Sequence, residues 1–318
     1  MKRCFALAAM AALSAAGTAF ADVTIRQEMD IKLNVPMPDG AMPAGLPFNG
    51  PTEIVSRVKG QRSYANLGKV ATIMDSGTNQ VIVMDTEGKR YAVTSMADYV
   101  NQISQMTKLP TDQMPEAARQ MLQNIQFKAD SRETGRSEKI QGIDTTETEL
   151  SFSITIPLPV PMPGGNGNGL EFAGKFLISK PKPGEMERVP ALRELSSYYD
   201  QSRKLGNDVV SMMARMFGAV PGLGDKVSTL VDEFRKGGNL TMRMHGEFSV
   251  PGMAAMMAQA KANGATVPSI PDGPLAVVDT HLKEINTDAV PDSAFQIPEG
   301  YQKGDLADIM KAFTPGAK

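Results

Sequence analysis

The chain has 318 residues, with 33 Lys and Arg against 35 Asp and Glu, a formal charge of −2. No long run of like charge occurs, so the electrostatic footprint of a nucleic-acid binder is missing. A single cysteine, Cys4, and two histidines, His245 and His281, leave little scope for disulfides or Cys/His metal centres.

Lys2 and Arg3 open the chain, an apolar run follows from Phe5 to Ala16, and Ala19-Phe20-Ala21 puts small residues where a signal peptidase needs them. Residues 1–21 are therefore expected to be a signal peptide cleaved after Ala21. The expected compartment is the periplasm, with secretion beyond it left open. The apolar run falls short of the ~20 residues of a spanning helix. No later stretch is long enough either, so the product is not expected to span a membrane. Cys4 precedes the apolar run, so it is not placed as a lipid-modified cysteine, and the mature chain has no thiol.

Val23 to Val35 alternates apolar and polar residues, with Gln27 the exception, which predicts a long strand with one dry face. Pro36 to Pro51 reads as a loop, and Glu53 to Gly60 as a strand leading through Tyr64 into Val70–Ser95. There, three short strands are predicted around two turns, Asp75-Ser76-Gly77-Thr78-Asn79 and Asp85-Thr86-Glu87-Gly88. Each turn opens on an Asp that can bond its own backbone and holds a Gly for positive φ.

From Ala97 to Gln126 the apolar period lengthens to that of helices, the second capped by Asp112. Phe127 to Ile140 reads as a hairpin turning near Gly135, and Gly142 as a turn into the alternating strand Thr145–Ile156. A second Pro/Gly tip, Pro157 to Gly169, precedes a strand from Glu171 to Ser179. Arg188 to Lys236 is expected to be helical with breaks. Asn239–Val250 is a strand with Leu240, Met242, Met244 and Phe248 on one face. Pro251–Asn263 is a short helix, Leu275–Asn286 the last strand, and Asp305–Phe313 a terminal helix. Strands with short connections, interrupted by helices, indicate an α+β protein with one curved antiparallel sheet of about ten strands.

With the elements placed, a likeness emerges. It runs through Lys59-Gly60-Gln61-Arg62, Ile73-Met74-Asp75, Val81-Ile82-Val83-Met84-Asp85 and Gly88-Lys89-Arg90-Tyr91. It continues in Thr134-Gly135, Lys139-Ile140-Gln141-Gly142-Ile143, Val290-Pro291-Asp292-Ser293 and Ile297-Pro298-Glu299-Gly300-Tyr301. This order resembles a family of exported bacterial proteins whose domain is similar to the LolA/LolB/LppX class of lipoprotein carriers and lipid binders. The resemblance implies an open half-barrel closed by lid helices, and it brings no catalytic residues. The likeness covers most of residues 23–302, so a single domain is expected over 22–302; the residue pattern adds helical insertions at about 97–126, 188–236 and 251–263, the 188–236 one without a counterpart in the family, and a helix and tail over 303–318.

A half-barrel turns alternate residues of each strand toward its concave side. The expected cavity lining is Val81, Val83, Tyr91, Val93, Leu150, Phe152, Ile154, Met242, Met244 and Phe248. Periodicity does not separate a lined cavity from a packed core. The 22 methionines include Met212-Met213-Met216 and Met253-Met256-Met257. Flexible thioethers suit varied apolar ligands as well as ordinary core filling, and they are soft ligands for cuprous copper, although neither cluster has a His or Cys beside it. If the strands around residue 263 pair, His245 falls close to Thr280 and His281. No nucleophile elbow, HExxH, P-loop or dinucleotide fingerprint occurs, so no enzyme, cofactor or metal is expected. The expected function is binding or carriage of a lipid or other apolar ligand. The alternative is an interaction or sensor module that holds an envelope protein and no small molecule.

Overall fold

The computed structural model describes residues 22–34, 50–107, 115, 116, 120, 124–157, 169–204, 240–264 and 273–311. Among the described residues twelve strands form one open sheet, in the order β12-β6-β5-β4-β3-β2-β1-β11-β10-β9-β8-β7. The strands are β1 (Val23–Leu33), β2 (Thr52–Lys59), β3 (Arg62–Leu67), β4 (Val70–Asp75), β5 (Gln80–Asp85) and β6 (Arg90–Ser95). They continue with β7 (Gln126–Ile140), β8 (Ile143–Pro157), β9 (Gly169–Pro181), β10 (Arg243–Ser249), β11 (Ala276–Asn286) and β12 (Gln302–Lys303). The helices are α1 (Met96–Thr107), α2 (Glu185–Arg188), α3 (Pro190–Lys204), α4 (Met253–Ala262) and α5 (Leu306–Lys311).

Every neighbouring pair is antiparallel except β12 with β6. The first described strand, β1, lies in the middle of the sheet. The chain winds outward through β2–β6, crosses to the far edge at β7, and winds back to β11, which pairs with β1.

Side chains alternate between faces, so the registers fix which residues share a side. On one side, the helix face, Val81, Val83 and Ala92 pack with Met96, Ile309 and Tyr99 of α1 and α5. On the same face Val23, Ile25, Val58, Met242 and Leu282 pack with Ala191, Leu192 and Leu195 of α3. Tyr198 of α3 donates to Ser63 Oγ at 2.7 Å. The opposite face of β3–β5 is also covered: Ala71, Ile73 and Met84 pack under Val290 and Phe295.

Three expectations need correction. The sheet has twelve strands, because Arg62–Leu67 is a strand of its own and Gln302–Lys303 adds to the edge. Residues 126–140 form one long strand, with Gly135 (φ +78°) in a bulge between Glu133 and Ser137 and not at a hairpin turn. In the meander turns, positive φ falls on Asn79 and Lys89. Gly88 is required for space, since a Cβ there would lie 2.3 Å from Oδ2 of the buried Asp85, whereas a Cβ on Gly77 would come closest, at 2.4 Å, to Oε1 at the movable tip of the exposed Gln61.

The exception at Gln27 has its reason. It sits at a bulge in the β1–β11 pairing and donates through Nε2 to Thr241 O at 2.9 Å. Ser95 Oγ accepts from the Asp98 N–H at 3.1 Å and caps α1. Most of the expected helix after Asp112, most of the two Pro/Gly tips, residues 205–239 and the Met212-Met213-Met216 cluster lie outside the described residues.

The turn aspartates differ in burial. Asp85 is buried, accepts from the Gly88 N–H at 2.8 Å and pairs with Arg90 at 2.9 Å. Burial pushes its carboxyl up, but the Gly88 and Arg90 hydrogen bonds and the Arg90 charge outweigh burial and hold it below the ordinary value. Asp75 accepts from Gly77 and Thr78 in an exposed turn. Asp85→Ala is expected to cost about 2–3 kcal/mol and Asp75→Ala about 1 kcal/mol or less in urea unfolding. Equal losses would contradict this reading of the meander.

Candidate functional site

The helix face continues across β7–β10 as an aromatic surface. Phe152 lies directly opposite Gly174, and Phe176 directly opposite Gly246. A Cβ on Gly174 would stand 2.4 Å from Phe152 Cε1, and a Cβ on Gly246 would stand 2.7 Å from Phe176 Cδ1. Each ring therefore lies over the glycine of the next strand, against its backbone, where a side chain would have lifted it away. The rings form a row. Phe127 and Phe152 are 6.2 Å apart and Phe152 and Phe176 6.0 Å apart, both stacked. Phe248 meets Phe176 edge-on at 5.3 Å.

Leu150, Ile178 and Phe176 are buried beneath or within this row, with Phe152 and Met244 packed against them. Phe172 and Phe248 keep 40% and 36% of their surface exposed. By register they stand on the same face as Phe152, because Phe172 pairs with Ile154 and Phe248 with Gly174.

The ten residues expected to line a cavity divide into three groups. Leu150, Phe152, Ile154, Met244 and Phe248 come together on this aromatic face. Val81, Val83 and Met242 share its side of the sheet but are fully buried under α1, α5 and α3. Tyr91 and Val93 point to the opposite face, since Tyr91 pairs with Met84 and Val93 with Ile82. Sequence reasoning missed Phe127, Phe172, Phe176, Gly174 and Gly246. A usable signal was there in Phe172-Ala173-Gly174-Lys175-Phe176, where glycine takes a dry-face position between two phenylalanines.

The other face of β7–β11 is charged, and much of its charge is paired. Arg132 (2.8 Å) and Lys175 (3.1 Å) both bind Glu149. Arg243 joins Glu138 at 2.8 Å and the buried Glu147 at 3.5 Å, and Thr134 Oγ1 donates to Glu147 at 2.9 Å. This network depends on the bulge that carries Thr134 to Arg136, which the sequence disguised as a hairpin. Among the described residues, no group of three or more His, Cys, Asp and Glu is placed to hold a metal ion.

His245 pairs with Asp279, and Arg243 takes the place opposite His281, so the partner of His245 lies two residues from the His281 that a centre near residue 263 would give it. The His245 ring places Nδ1 2.8 Å from Asp279 Oδ1 and Nε2 3.4 Å from Glu247 Oε1. The Asp279 hydrogen bond, aided by Glu247 and by both charges, raises the His245 pKa above its ordinary 6.5 against the effect of burial. Arg243, two residues before His245, and Lys175, opposite Glu247 two residues after it, are cationic groups on neighbouring positions of this face.

No protein-family model matches the chain, and comparison with curated proteins gives no match.

Two outcomes follow from this geometry. Gly174→Val forces Phe152 off its seat and is expected to cost about 1–3 kcal/mol. In a cycle with Phe152→Ala the two losses should fall short of additive by at least about 0.5 kcal/mol in denaturant titrations, and full additivity would show that ring and glycine do not touch. His245, with its raised pKa, contributes stability that is complete below pH 6.5 and is lost as pH rises through its folded pKa. His245→Gln should therefore lower the thermal midpoint at about pH 6 more than at about pH 9. Equal shifts at both would contradict the ion pair.

Proposed function

We propose that the chain is an exported protein that binds a lipid or other ligand with acyl chains, held against the aromatic floor of β7–β10. The observation that carries this reading is the row Phe127–Phe152–Phe176–Phe248, laid over Gly174 and Gly246, with Phe172 and Phe248 more than a third exposed on the same face. Exposed aromatic surface that is continuous with a buried core has a large driving force to be covered. Flat rings with Leu150, Ile154 and Met244 between them suit flexible chains better than a ligand of fixed polar shape. The half-barrel reading rests on an open antiparallel sheet with helices on one face.

Export is supported by the pattern of residues 1–21 and by β1 starting at Val23, just past the expected cleavage point. No described helix is long and apolar enough to cross a membrane. On this reading no residue has a catalytic role.

The second reading is an envelope protein that docks a partner by strand addition, favoured by the edge of β7, which is unpaired among the described residues. Lys128, Asp130, Arg132 and Glu133 and the bulge at Gly135 lie along that edge, and these are devices that deter pairing, which ranks the reading second.

Titration with a fluorescent fatty acid is expected to give a micromolar Kd, about −8 kcal/mol. Phe172→Asp and Phe248→Asp, both at positions that tolerate water, should each weaken it about tenfold while the circular dichroism spectrum is unchanged. Absence of binding, or full binding by both variants, overturns the proposal. Ala21→Arg should block processing, and N-terminal sequencing of the wild-type exported protein should begin at Asp22.

A further inference from the structure

The charged face of β7–β10 has a gap in its mesh. Over most of this face, long side chains from neighbouring strands meet in pairs, as in Arg132–Glu149–Lys175 and Arg243–Glu138. One area carries short side chains instead, and above them is a cavity of about 500 Å³.

The registers give its plan. One row crosses the sheet as Asp130, Ser151, Lys175 and Glu247, from β7 to β10. The next row, two residues along, is Lys128, Ser153, Ala173 and Ser249. All eight line the cavity. Strand spacing makes each row about 14 Å long and sets the rows about 7 Å apart. The floor is thus three hydroxyls and a methyl, with Gly174 backbone beneath, and the rim holds two cations and two anions. Lys128 and Asp130 form no ion pair among the described residues, and Glu247 is steadied by His245 at 3.4 Å. Serine and alanine are weaker strand formers than the β-branched and aromatic residues, so three strands, β8, β9 and β10, give up propensity here to keep the floor low.

We propose that this trough is a binding site for a neutral saccharide, separate from the aromatic face on the other side of the sheet. The chemistry selects the class. Sugar hydroxyls both donate and accept, so a neutral polyol uses carboxylates, ammonium groups and serines together. A phosphate or other anion meets Asp130 and Glu247 beside every lysine. An acyl chain would strip water from four charges with nothing returned. The volume lies within the range of small-ligand sites.

The test is saturation-transfer NMR on the exported, processed protein, with maltotriose, cellotriose and chitotriose as probes and trialanine as the peptide control. At least one trisaccharide should show saturation, and trialanine none. The double variant Ser153→Leu/Ala173→Leu fills the floor and should reduce that signal at least tenfold. Asp130→Asn, on the exposed edge strand, should weaken it several-fold without any effect on folding, which covers the case in which the double variant does not fold. Phe248→Asp, on the opposite face, should leave it unchanged. No saturation from any of the three sugars overturns the proposal, as does a signal that survives both trough variants. Saturation of trialanine in their place assigns the trough to peptides and also overturns it. Fatty-acid binding by the same sample is read separately, so failure of one site is distinguishable from failure of the other.

Discussion

The pairing of β1 with β11 holds this sheet together. Among the described residues, the β2–β6 meander and the β7–β11 meander meet by main-chain pairing only there, from Thr24–Asn286 to Leu33–Ala276. The two strands lie at opposite ends of the sequence, so closing them costs loop entropy, although that cost grows only slowly with length. Side chains reinforce the seam on both faces. Arg26 reaches Glu53 at 3.1 Å and Glu284 at 3.2 Å, and Gln27 ties the bulge to Thr241. Asp22 accepts from Val290 N at 2.6 Å, and Lys59 donates to Val290 O at 2.9 Å. The segment that covers the first meander is thus fastened to the strand that joins both. Non-local pairing of this kind is a slow step in folding, and here it is needed before either half has its full complement of neighbours.

With the seam in place, one side of the sheet collects apolar residues throughout, while the other collects charge over β7–β11 and a second apolar layer over β3–β5. Helices α1, α3 and α5 seal the dry face over β1–β6, where Val23, Val81 and Leu192 have no exposed surface. Over β7–β10 the dry face is made of aromatic rings settled on glycines, and Phe172 and Phe248 stay partly exposed. The same substitution logic shapes the charged face, where serines and an alanine replace long side chains and leave a trough. Small residues at cross-strand positions decide the relief of both surfaces.

Much of this was legible beforehand, and the exceptions have physical causes. Val23–Val35 and Thr145–Ile156 were readable because one dry face imposes alternation, and Val70–Ser95 because two Asp/Gly turns punctuate it; strands are observed in all three. The strand Arg62–Leu67 was hard to resolve because Arg62, Ser63 and Asn66 carry little strand propensity and their pairing comes from β2 and β4. Gly135 looked like a turn because a bulge and a turn ask the same thing of the backbone, a positive φ. At the candidate site, Leu150, Phe152, Ile154, Met244 and Phe248 could be grouped by parity within each strand. Parity does not carry across strands without a register, and for that reason Tyr91 and Val93 fell on the other side. Nor does it show which dry positions the helices will cover, and Val81, Val83 and Met242 are covered.

The account's central claim is that the aromatic floor holds acyl chains. Native mass spectrometry of protein purified from its own export pathway, followed by organic extraction, tests this most directly. The account predicts a population heavier than the processed chain by the mass of a lipid, which extraction releases and converts to the bare mass. A single species at the bare mass from the outset, with no acyl compound in the extract, would contradict it.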